Sequence, residues 1–253
     1  MMDLGGKVAL VTGGNGGIGL AMAGALADAG ATLALVGRNA DKTEAAAASL
    51  AREGAPAPLA LTGDMTEEQG VAAAVARVAA QFGGLDILVN NAGVNDRKLP
   101  QDYALSEWNA LIAGNLTSAF LVSKAAYPLM AARGGGKIVN IGSIMSIFGS
   151  PMSAPYAAAK GGLVQMTKAL ATAWAGDNIQ VNAILPGWID TDMTVTAREQ
   201  VPGLNDRVLA RTPAGRWGRP ADLGGAALFL CAPASDFVTG IALPVDGGYS
   251  CAA

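Results

Sequence analysis

The sequence predicts a single-domain α/β protein with a seven-stranded parallel sheet flanked by helices on both faces. Two patterns support this fold class. Short apolar runs alternate with longer alanine-rich segments of helical periodicity, as strands alternate with crossover helices in parallel sheets. The runs also show little alternation between polar and apolar residues, which is typical of strands buried on both faces. With 253 residues, 51% of them hydrophobic, the chain can bury the core of one such domain.

Seven apolar runs account for the predicted strands. The 34 glycines of the chain favour many tight turns between them. In chain order, the predicted strands are Lys7–Thr12, Thr32–Val36, Pro58–Thr62, Leu85–Asn90, Lys137–Ile141, Gln180–Leu185 and Ile241–Val245.

Capping signals mark the starts of two of the intervening helices. Asn39 can cap a helix that runs to about Glu53, because its side-chain oxygen can accept from a first-turn N–H group. Thr66 and Gln69 have the spacing of a capping box before an apolar stripe that ends near Phe82. We therefore expect a helix after each of the second and third strands.

We expect one domain over residues 1–253, because the sequence contains no linker, repeat or low-complexity tail. Two long helices are predicted over Ser106–Arg133 and Pro155–Ala175, and their small residues favour close helix packing across a two-fold axis. The segment 192–219 departs from the regular pattern, since it is long, contains Arg and Pro, and is weakly periodic. We predict that it forms a mobile lid over a site.

Composition excludes several classes of function. The net charge of −3 does not favour nucleic acid or an anionic membrane as a partner. The chain contains no histidine, which excludes His-ligated zinc, the Ser-His-Asp triad and the Cys-His dyad, and we predict no metal site. Cys231 and Cys251 do not form a disulfide framework, so a reducing compartment is expected. No leader or bilayer-spanning run is apparent, and we expect a soluble, cytoplasmic protein.

A glycine-rich loop follows the first predicted strand. Residues 12–19 form the sequence Thr-Gly-Gly-Asn-Gly-Gly-Ile-Gly and precede a helix. Such a loop can simply pack a helix on a strand, or it can bring backbone N–H groups to a pyrophosphate at the helix N-terminus. Its place between the first strand and the first helix favours the second interpretation, a dinucleotide-binding loop in a Rossmann fold.

The end of the second strand bears on which dinucleotide binds. NAD-binding sites usually offer an Asp or Glu to the ribose 2′-OH at this place, but residues 36–39 here are Val-Gly-Arg-Asn. Arg38 can pair with a 2′-phosphate through its planar guanidinium, although a solvated surface arginine is the alternative. We predict NADP, with NAD possible.

A third group of residues suggests proton transfer. Tyr156 and Lys160 are four residues apart on a predicted helix, so their side chains share one face. A phenol has an ordinary pKa near 10, and lowering it by about three units takes roughly 4 kcal/mol, which a nearby ammonium and an oxidised nicotinamide can supply together. Ser143 follows the fifth strand, where its hydroxyl can stabilise charge on a reacting oxygen.

These motifs together resemble the short-chain dehydrogenase/reductase family over essentially the whole chain. Residues 12–19 are similar to its Thr-Gly-x3-Gly-x-Gly loop, and residues 90–93 to its Asn-Asn-Ala-Gly turn. Asp64 matches the acid that contacts the adenine, and Asn115 the residue that kinks a helix and holds a water in the proton relay. One departure concerns position 16, which is glycine here instead of a basic residue. The prediction of NADP therefore rests on Arg38 alone.

The resemblance implies a role for each matching residue. It implies that Tyr156 exchanges the proton, that Ser143 orients the substrate oxygen, and that Lys160 lowers the tyrosine pKa and holds the nicotinamide ribose. With Asn115 these form the implied catalytic set. The implied cofactor-binding residues are Thr12, Gly13, Asn15, Gly17, Ile18, Gly19, Arg38, Asp64, Met65, Asn91, Ala92, Gly93, Tyr156, Lys160, Pro186, Gly187, Ile189 and Thr191.

Within the family, residues 186–191 and 211–218 are most similar to sugar-acid dehydrogenases that act on gluconate or deoxygluconate. Three arginines of the predicted lid can meet a substrate carboxylate, and solvated side chains are the alternative. They are Arg198, Arg207 and Arg211. The residues expected to line the substrate pocket are Ser146, Met152 and Trp188.

Two alternatives remain open at the level of sequence. A 3-oxoacyl-[acyl-carrier-protein] reductase shares nearly every motif and needs a basic patch at the pocket mouth for its acidic partner. A non-catalytic protein that senses NAD(P) through the same fold is the alternative of another class. Members of the family are commonly tetramers, so we expect a homotetramer that acts on a small molecule.

Overall fold

A seven-stranded parallel sheet forms the centre of the computed structural model, which describes residues 2–252. The strand order is β3-β2-β1-β4-β5-β6-β7, and all neighbouring strands are parallel. The strands are β1 Val8–Thr12, β2 Thr32–Gly37, β3 Leu59–Thr62, β4 Ile87–Asn90, β5 Gly136–Ile141, β6 Ile179–Pro186 and β7 Ala242–Val245. The predicted fold class is confirmed, and every predicted strand end lies within two residues of the observed one.

Helices cover both faces of this sheet. They are α1 Gly17–Asp28, α2 Ala40–Ser49, α3 Glu68–Phe82, α4 Leu105–Ile112, α5 Ser118–Ala132, α6 Ala154–Trp174, α7 Asp192–Gln200, α8 Leu204–Arg211 and α9 Gly224–Cys231. On one face, Met22 and Leu26 of α1 are buried against Leu33 of β2. On the other, Val78 of α3 and Met130 of α5 belong to a second buried cluster. Within residues 2–252, no helix is both long and apolar enough to cross a bilayer.

The strand order reverses between β1 and β4, and this reversal positions the site. Helices that follow β1 and β4 lie on opposite faces of the sheet, so the loops at the carboxyl ends of the two strands diverge and leave a crevice. The glycine loop follows β1, the 90–93 turn follows β4, and Ser143 follows β5. Motifs that are far apart in sequence therefore meet at one edge of the sheet.

Two capping predictions have different outcomes. Asn39 caps α2 as expected, since its Oδ1 accepts from the Lys42 N–H at 2.8 Å, although the helix ends at Ser49 rather than near Glu53. The predicted capping box at Thr66 is wrong. The Thr66 N–H and hydroxyl donate to Asp64 Oδ1 at 2.9 and 2.8 Å. Because Thr66 donates to Asp64 in this local turn, Glu67 instead of Thr66 occupies the N-cap position, and α3 begins at Glu68.

The predicted helix over Ser106–Arg133 is interrupted in its middle. A π-helical turn over Ala113–Thr117 separates α4 from α5. Asn115 lies in this turn, and its Nδ2 donates to the Leu111 carbonyl at 2.8 Å and to the Val94 carbonyl at 2.7 Å. A side-chain amide that bonds a carbonyl four residues earlier competes with the regular backbone pattern, and π turns are often found at functional sites.

The segment 192–219 is more regular than its sequence predicts. It contains the helices α7 and α8, which share a small apolar core separate from the two faces of the sheet. Ala197, Leu204 and Val208 are buried there, packed against Trp188 and Trp217. The weak periodicity of the sequence has a physical reason, since two helices of eight or nine residues each bury only one or two side chains.

The contact between α1 and the glycine loop leaves no room for a side chain at Gly19. A Cβ there would overlap the Gly13 carbonyl oxygen and the Asn91 side-chain amide. We expect Gly19→Ala to lower the melting temperature by about 3–10 °C, because neither of these groups can move freely. Gly24→Ala in the same helix is the control, since its Cβ would lie 3.6 Å from Leu50 Cδ2, an ordinary contact. Equal melting temperatures of the two variants would contradict this close approach.

Candidate active site

A cavity of about 1040 Å³ opens at the carboxyl edge of the sheet. Its walls come from the loops after β1, β2, β3, β4, β5 and β6, together with α6 and α7. Most of the site residues expected from the sequence line it. They are Gly13, Asn15, Gly17, Ile18, Arg38, Asp64, Met65, Asn91, Ala92, Gly93, Asn115, Ser143, Tyr156, Lys160, Pro186, Gly187, Ile189 and Thr191.

Thr12 and Gly19 lie behind the wall of this cavity rather than in it. The Thr12 hydroxyl accepts hydrogen bonds from the Asn91 and Ala92 N–H groups, both at 3.0 Å. Asn91 Nδ2 in turn donates to the carbonyls of Thr12 and Gly13 at 3.1 and 3.0 Å. These residues join the loops after β1 and β4, so they shape the cavity without facing it.

The N-terminus of α1 fits a phosphate group. The residue before the helix is Gly16, which has no side chain to cap it, and the first turn contains no acidic residue. The first N–H groups of a helix have no acceptor within the helix, and the helix dipole favours a negative charge there. Gly16, Gly17 and Ile18 line the cavity. The loop can therefore hold the pyrophosphate of a dinucleotide.

The loops after β2 and β3 form the adenosine end of the cavity. Arg38 is exposed there, and the end of β2 offers no carboxylate. Hydrogen bonds from Thr66 lower the pKa of Asp64, with a smaller contribution from the charge of Arg38. Asp64 is therefore ionised and held in place at neutral pH, beside the buried side chain of Met65.

Helix α6 presents Tyr156 and Lys160 on one face, as their spacing predicts. Lys160 Nζ lies 5.7 Å from the centre of the Tyr156 ring and donates to the Ile141 carbonyl at 2.7 Å. Ser143 Oγ, at the end of β5, accepts from the Met145 N–H at 3.1 Å. Ser146, expected to line the substrate pocket, does not line the cavity. Its hydroxyl instead donates to the Lys160 carbonyl at 2.8 Å and fixes α6 on this loop.

Burial dominates the electrostatics of this group. It raises the pKa of Tyr156, while the Ser143 hydroxyl and the Arg97 guanidinium partly offset the increase. It also lowers the pKa of Lys160 to about 8. The lowering expected for Tyr156 is therefore absent from the protein alone, because both buried groups resist charge. A further positive charge, such as that of an oxidised nicotinamide, is needed to favour the phenolate.

Asn115 lies close to this group. Besides donating to the Leu111 and Val94 carbonyls, its side chain accepts from the Val94 N–H at 3.2 Å through Oδ1. A Cβ on Gly93 would lie 2.7 Å from Asn115 Oδ1 and 3.5 Å from Lys160 Nζ. The structure thus brings Asn115, the 90–93 turn and Lys160 together, and the Asn115 side chain fixes the loop after β4.

Two of the three lid arginines that could meet a substrate carboxylate have other partners in the structure. Arg198 forms an ion pair with Asp190 and lies over the Trp217 ring at 4.5 Å. Arg211 lies over the rings of Phe148 and Tyr249, at 4.8 and 4.5 Å from their centres. Neither lines the cavity. Stacking on aromatic rings satisfies these guanidinium groups away from it.

Arg207 does line the cavity, and so do Met152 and Trp188 as expected. Arg207 donates to the Pro202 carbonyl at 3.0 Å. Trp188 Nε1 and Asn95 Oδ1 are buried without a hydrogen-bond partner in the described part of the chain. An unsatisfied buried polar atom costs about 1–3 kcal/mol. These two residues of the cavity wall therefore each have one buried polar atom without a partner in the described part of the chain.

Sequence reasoning missed Arg97, which lines the cavity after β4. Its charge lowers the pKa of Tyr156, and both residues line the same cavity. Within residues 2–252, its guanidinium has no hydrogen-bond acceptor or carboxylate partner. The available signal was its position four residues after Gly93, at the carboxyl end of a strand, where ligands of parallel sheets bind. Lys42 of α2 also lines the cavity and was missed.

Known proteins are similar to this chain over almost its whole length. A family model described as "Enoyl-(Acyl carrier protein) reductase" matches residues 13–250. A 2-dehydro-3-deoxy-D-gluconate 5-dehydrogenase of Formosa agariphila is 43% identical over 249 residues, which cover 98% of this chain and 94% of that protein. A gluconate 5-dehydrogenase of Gluconobacter oxydans is 41% identical over 250 residues, with coverages of 98% and 96%.

The likeness extends to a solved structure. A gluconate 5-dehydrogenase from Burkholderia cenocepacia, in complex with NADP and tartrate, superimposes with a TM-score of 0.94 at 41% identity. The superposition covers 100% of this chain and 98% of that one. The sheet, the cavity and the 192–219 segment therefore all lie within the matched part.

The burial of Lys160 makes stability depend on pH. The pKa of Lys160 is about 8 in the folded chain and 10.5 in the unfolded chain. Between pH 8 and pH 10.5, Lys160 is therefore mainly protonated in the unfolded chain and mainly neutral in the folded chain. Raising the pH through that window therefore favours the folded state. Relative to Lys160→Met, the wild-type free energy of unfolding should rise by about 2 kcal/mol from pH 7 to pH 9.5. Urea unfolding of both proteins measures this, and a constant difference would contradict the lowered pKa.

Proposed function

The chain belongs to the short-chain dehydrogenase/reductase family, and from that premise we propose that it interconverts a secondary hydroxyl and a ketone of a sugar acid. The chain is an NAD(P)-dependent oxidoreductase acting on CH–OH groups. The reaction proposed is like that of a gluconate 5-dehydrogenase. The relatives named for gluconate and deoxygluconate support this substrate class.

The position of Arg97 gives the main support for this proposal. The Arg97 guanidinium lies unpaired in the cavity that holds Tyr156. A guanidinium binds a carboxylate through two parallel hydrogen bonds, and burial strengthens such a pair. A sugar acid can therefore set its carboxylate on Arg97 with a hydroxyl carbon near Tyr156. The similar structure in complex with tartrate, also a hydroxy acid, supports a substrate of this chemical class.

The proposed mechanism assigns a role to each residue of the catalytic group. In oxidation, Ser143 holds the reacting hydroxyl by a hydrogen bond and Tyr156 takes its proton. Lys160, which is mainly protonated at neutral pH, stabilises the phenolate form of Tyr156 that accepts this proton. Asn115 fixes the loops around them. When bound, the nicotinamide ring accepts the hydride in oxidation and donates it in reduction.

The proposed cofactor is NADP, with NAD as the alternative. Arg38 at the end of β2 and the lack of an acid there support a 2′-phosphate. Thr12, Asn91 and the residues around Gly187 shape or contact the rest of the cofactor. The similar structure bound to NADP supports the same choice.

The segment 192–219 is proposed as the substrate lid of this single domain. Met193, Leu204 and Arg207 of this segment line the cavity, which supports a role in covering it. Its separate apolar core supports movement as a unit, because few of its contacts are shared with the main sheet.

A homotetramer in the cytoplasm is proposed as the working form. Among the exposed large apolar side chains of the described residues, one group lies on α4 and α5 and another near β7, which supports two different two-fold interfaces. They are Leu105, Trp108 and Phe120 in the first and Phe237 and Ile241 in the second. Cys231 and Cys251 are free thiols, which supports a reducing compartment.

The reductase of acyl-carrier-protein thioesters has less support. It needs a basic patch at the cavity mouth, yet Arg198 is paired with Asp190 and Arg211 is stacked on aromatic rings. The matching family model is described as an enoyl-(acyl carrier protein) reductase, which reduces a different group of an acyl thioester, so thioesters are included among the substrates tested.

Tyr156→Phe tests the catalytic assignment. The change removes only the hydroxyl, so turnover should fall by about 10³-fold or more while the cofactor Kd stays within about two-fold. Tyr127→Phe is the matched control, because the Tyr127 hydroxyl bonds Asp177 on the surface, away from the cavity. Unchanged turnover of Tyr156→Phe would favour a non-catalytic sensing protein. Steady-state kinetics and cofactor titration measure the two quantities.

Arg97→Gln tests the substrate assignment. We expect KM for gluconate or 5-ketogluconate to rise by about 10- to 100-fold, because a charged hydrogen-bonded pair is lost. A neutral keto ester should show no such change in KM. The pH profile of turnover should also move to higher pH, since Arg97 lowers the pKa of Tyr156. Arg97→Lys keeps the charge and should restore part of both effects.

The wild-type substrate panel completes this test. Turnover of sugar acids above that of acetoacetyl thioesters supports the proposal. Activity confined to thioesters contradicts the proposal. An equal increase of KM for charged and neutral substrates in Arg97→Gln also contradicts it.

A further inference from the structure

We propose that Lys42 supplies the second positive charge for the 2′-phosphate of NADP by reaching from α2 across Gly16. This inference rests on the proposed use of NADP. The glycine loop itself carries no basic residue, since position 16 is glycine. A cation that approaches from another element can serve the same phosphate.

The space above Gly16 is filled by the Lys42 side chain. Lys42 Cε and Nζ each lie 3.2 Å from the position of the Cβ that Gly16 lacks. Gly16 has φ 175°, an extended backbone that any residue adopts. The backbone conformation therefore does not require glycine here. Because Gly16 has no side chain, the end of the Lys42 side chain can lie against the edge of the loop.

Local hydrogen bonds hold the start of α2 against the loop. Asn15 Nδ2 donates to Thr43 Oγ1 at 3.1 Å, and Thr43 Oγ1 donates to the Asn39 carbonyl at 2.7 Å. The Lys42 N–H is bound by the Asn39 cap at 2.8 Å. The backbone of Lys42 is thus fixed one turn from Arg38, while its side chain remains free to adjust.

The charges around Lys42 leave its ammonium available. Its partner is Asp192 of α7, with 3.7 Å between Nζ and Oδ2, and the Asp192 side chain is fully exposed. Such an exposed pair is weak. Arg38 has no carboxylate within 4 Å in the described part of the chain. Both cations line the same cavity, and together they match the charge of about −1.5 to −2 on a phosphate monoester at neutral pH.

A simpler role for Lys42 is to hold the lid through Asp192 alone. That role predicts equal effects of its removal on NADP and NAD, because the two cofactors differ only in the 2′-phosphate. A charge that meets the phosphate predicts an effect confined to NADP. The two roles are therefore separated by binding constants, without any turnover measurement.

The test is isothermal titration of NADP and of NAD into the wild type and three variants. Lys42→Gln should raise the Kd for NADP by about 5- to 20-fold and change the Kd for NAD by less than two-fold. Arg38→Gln should act in the same direction. Lys124→Gln is the matched control, because Lys124 forms a similar exposed ion pair, with Glu68 at 3.9 Å, outside the cavity. It should change neither Kd.

A rescue variant tests the position of the charge. In Lys42→Gln, the additional change Gly16→Lys returns a cation to the vacated space from the loop, and the preference for NADP should recover. Recovery, together with the NADP-specific loss in Lys42→Gln, supports the proposal.

Two negative results have different meanings. If the wild type prefers NADP but Lys42→Gln binds it equally well, or loses NAD to the same extent, Lys42 has no role at the phosphate and the NADP proposal stands. If the wild type binds NAD as tightly as NADP, the proposed cofactor preference fails and the role of Lys42 fails with it.

Discussion

A buried chain of side-chain hydrogen bonds holds α6, the helix of Tyr156 and Lys160, on the sheet. Asn90 Nδ2, at the end of β4, donates to Asn140 Oδ1 of β5 at 2.8 Å and to Ser123 Oγ of α5 at 2.9 Å. Asn140 Nδ2 then donates to Thr167 Oγ1 of α6 at 2.9 Å. All four side chains are fully or almost fully buried. Because buried polar groups are costly when unpaired, this chain specifies one arrangement of β4, β5, α5 and α6.

That arrangement brings together two ionisable groups whose charged forms are disfavoured by burial. Tyr156 and Lys160 are both shifted toward their neutral forms by burial, and α6 holds them in place regardless. The protein therefore does not form a phenolate at neutral pH by its own charges. In the proposed mechanism, the positive charge of an oxidised nicotinamide would favour the phenolate, so cofactor binding and proton transfer would be electrostatically coupled.

The sequence predicts the features that depend on local pattern and leaves out those that depend on contacts between elements. Strand positions, the glycine loop and the spacing of Tyr156 and Lys160 follow from periodicity and motif. The positions of Arg97 and Lys42 in the cavity do not follow from local pattern, because they depend on which other elements pack near these side chains after folding. The lid arginines show the reverse error, since a charged residue near a site can be satisfied by Asp190 or by aromatic rings instead.

Arg211 has a mechanical consequence. It ends α8 and lies between the rings of Phe148, from the loop after β5, and Tyr249, near the end of the described chain. Moving that end of α8 outward separates the guanidinium from two rings, at about 0.5–1 kcal/mol each. The start of α7 forms an exposed ion pair with α2, between Asp192 and Lys42. Arg211 thus joins the end of α8 to the loop after β5 and to the region after β7, so the contacts of a single guanidinium resist an outward displacement of that end of the helix.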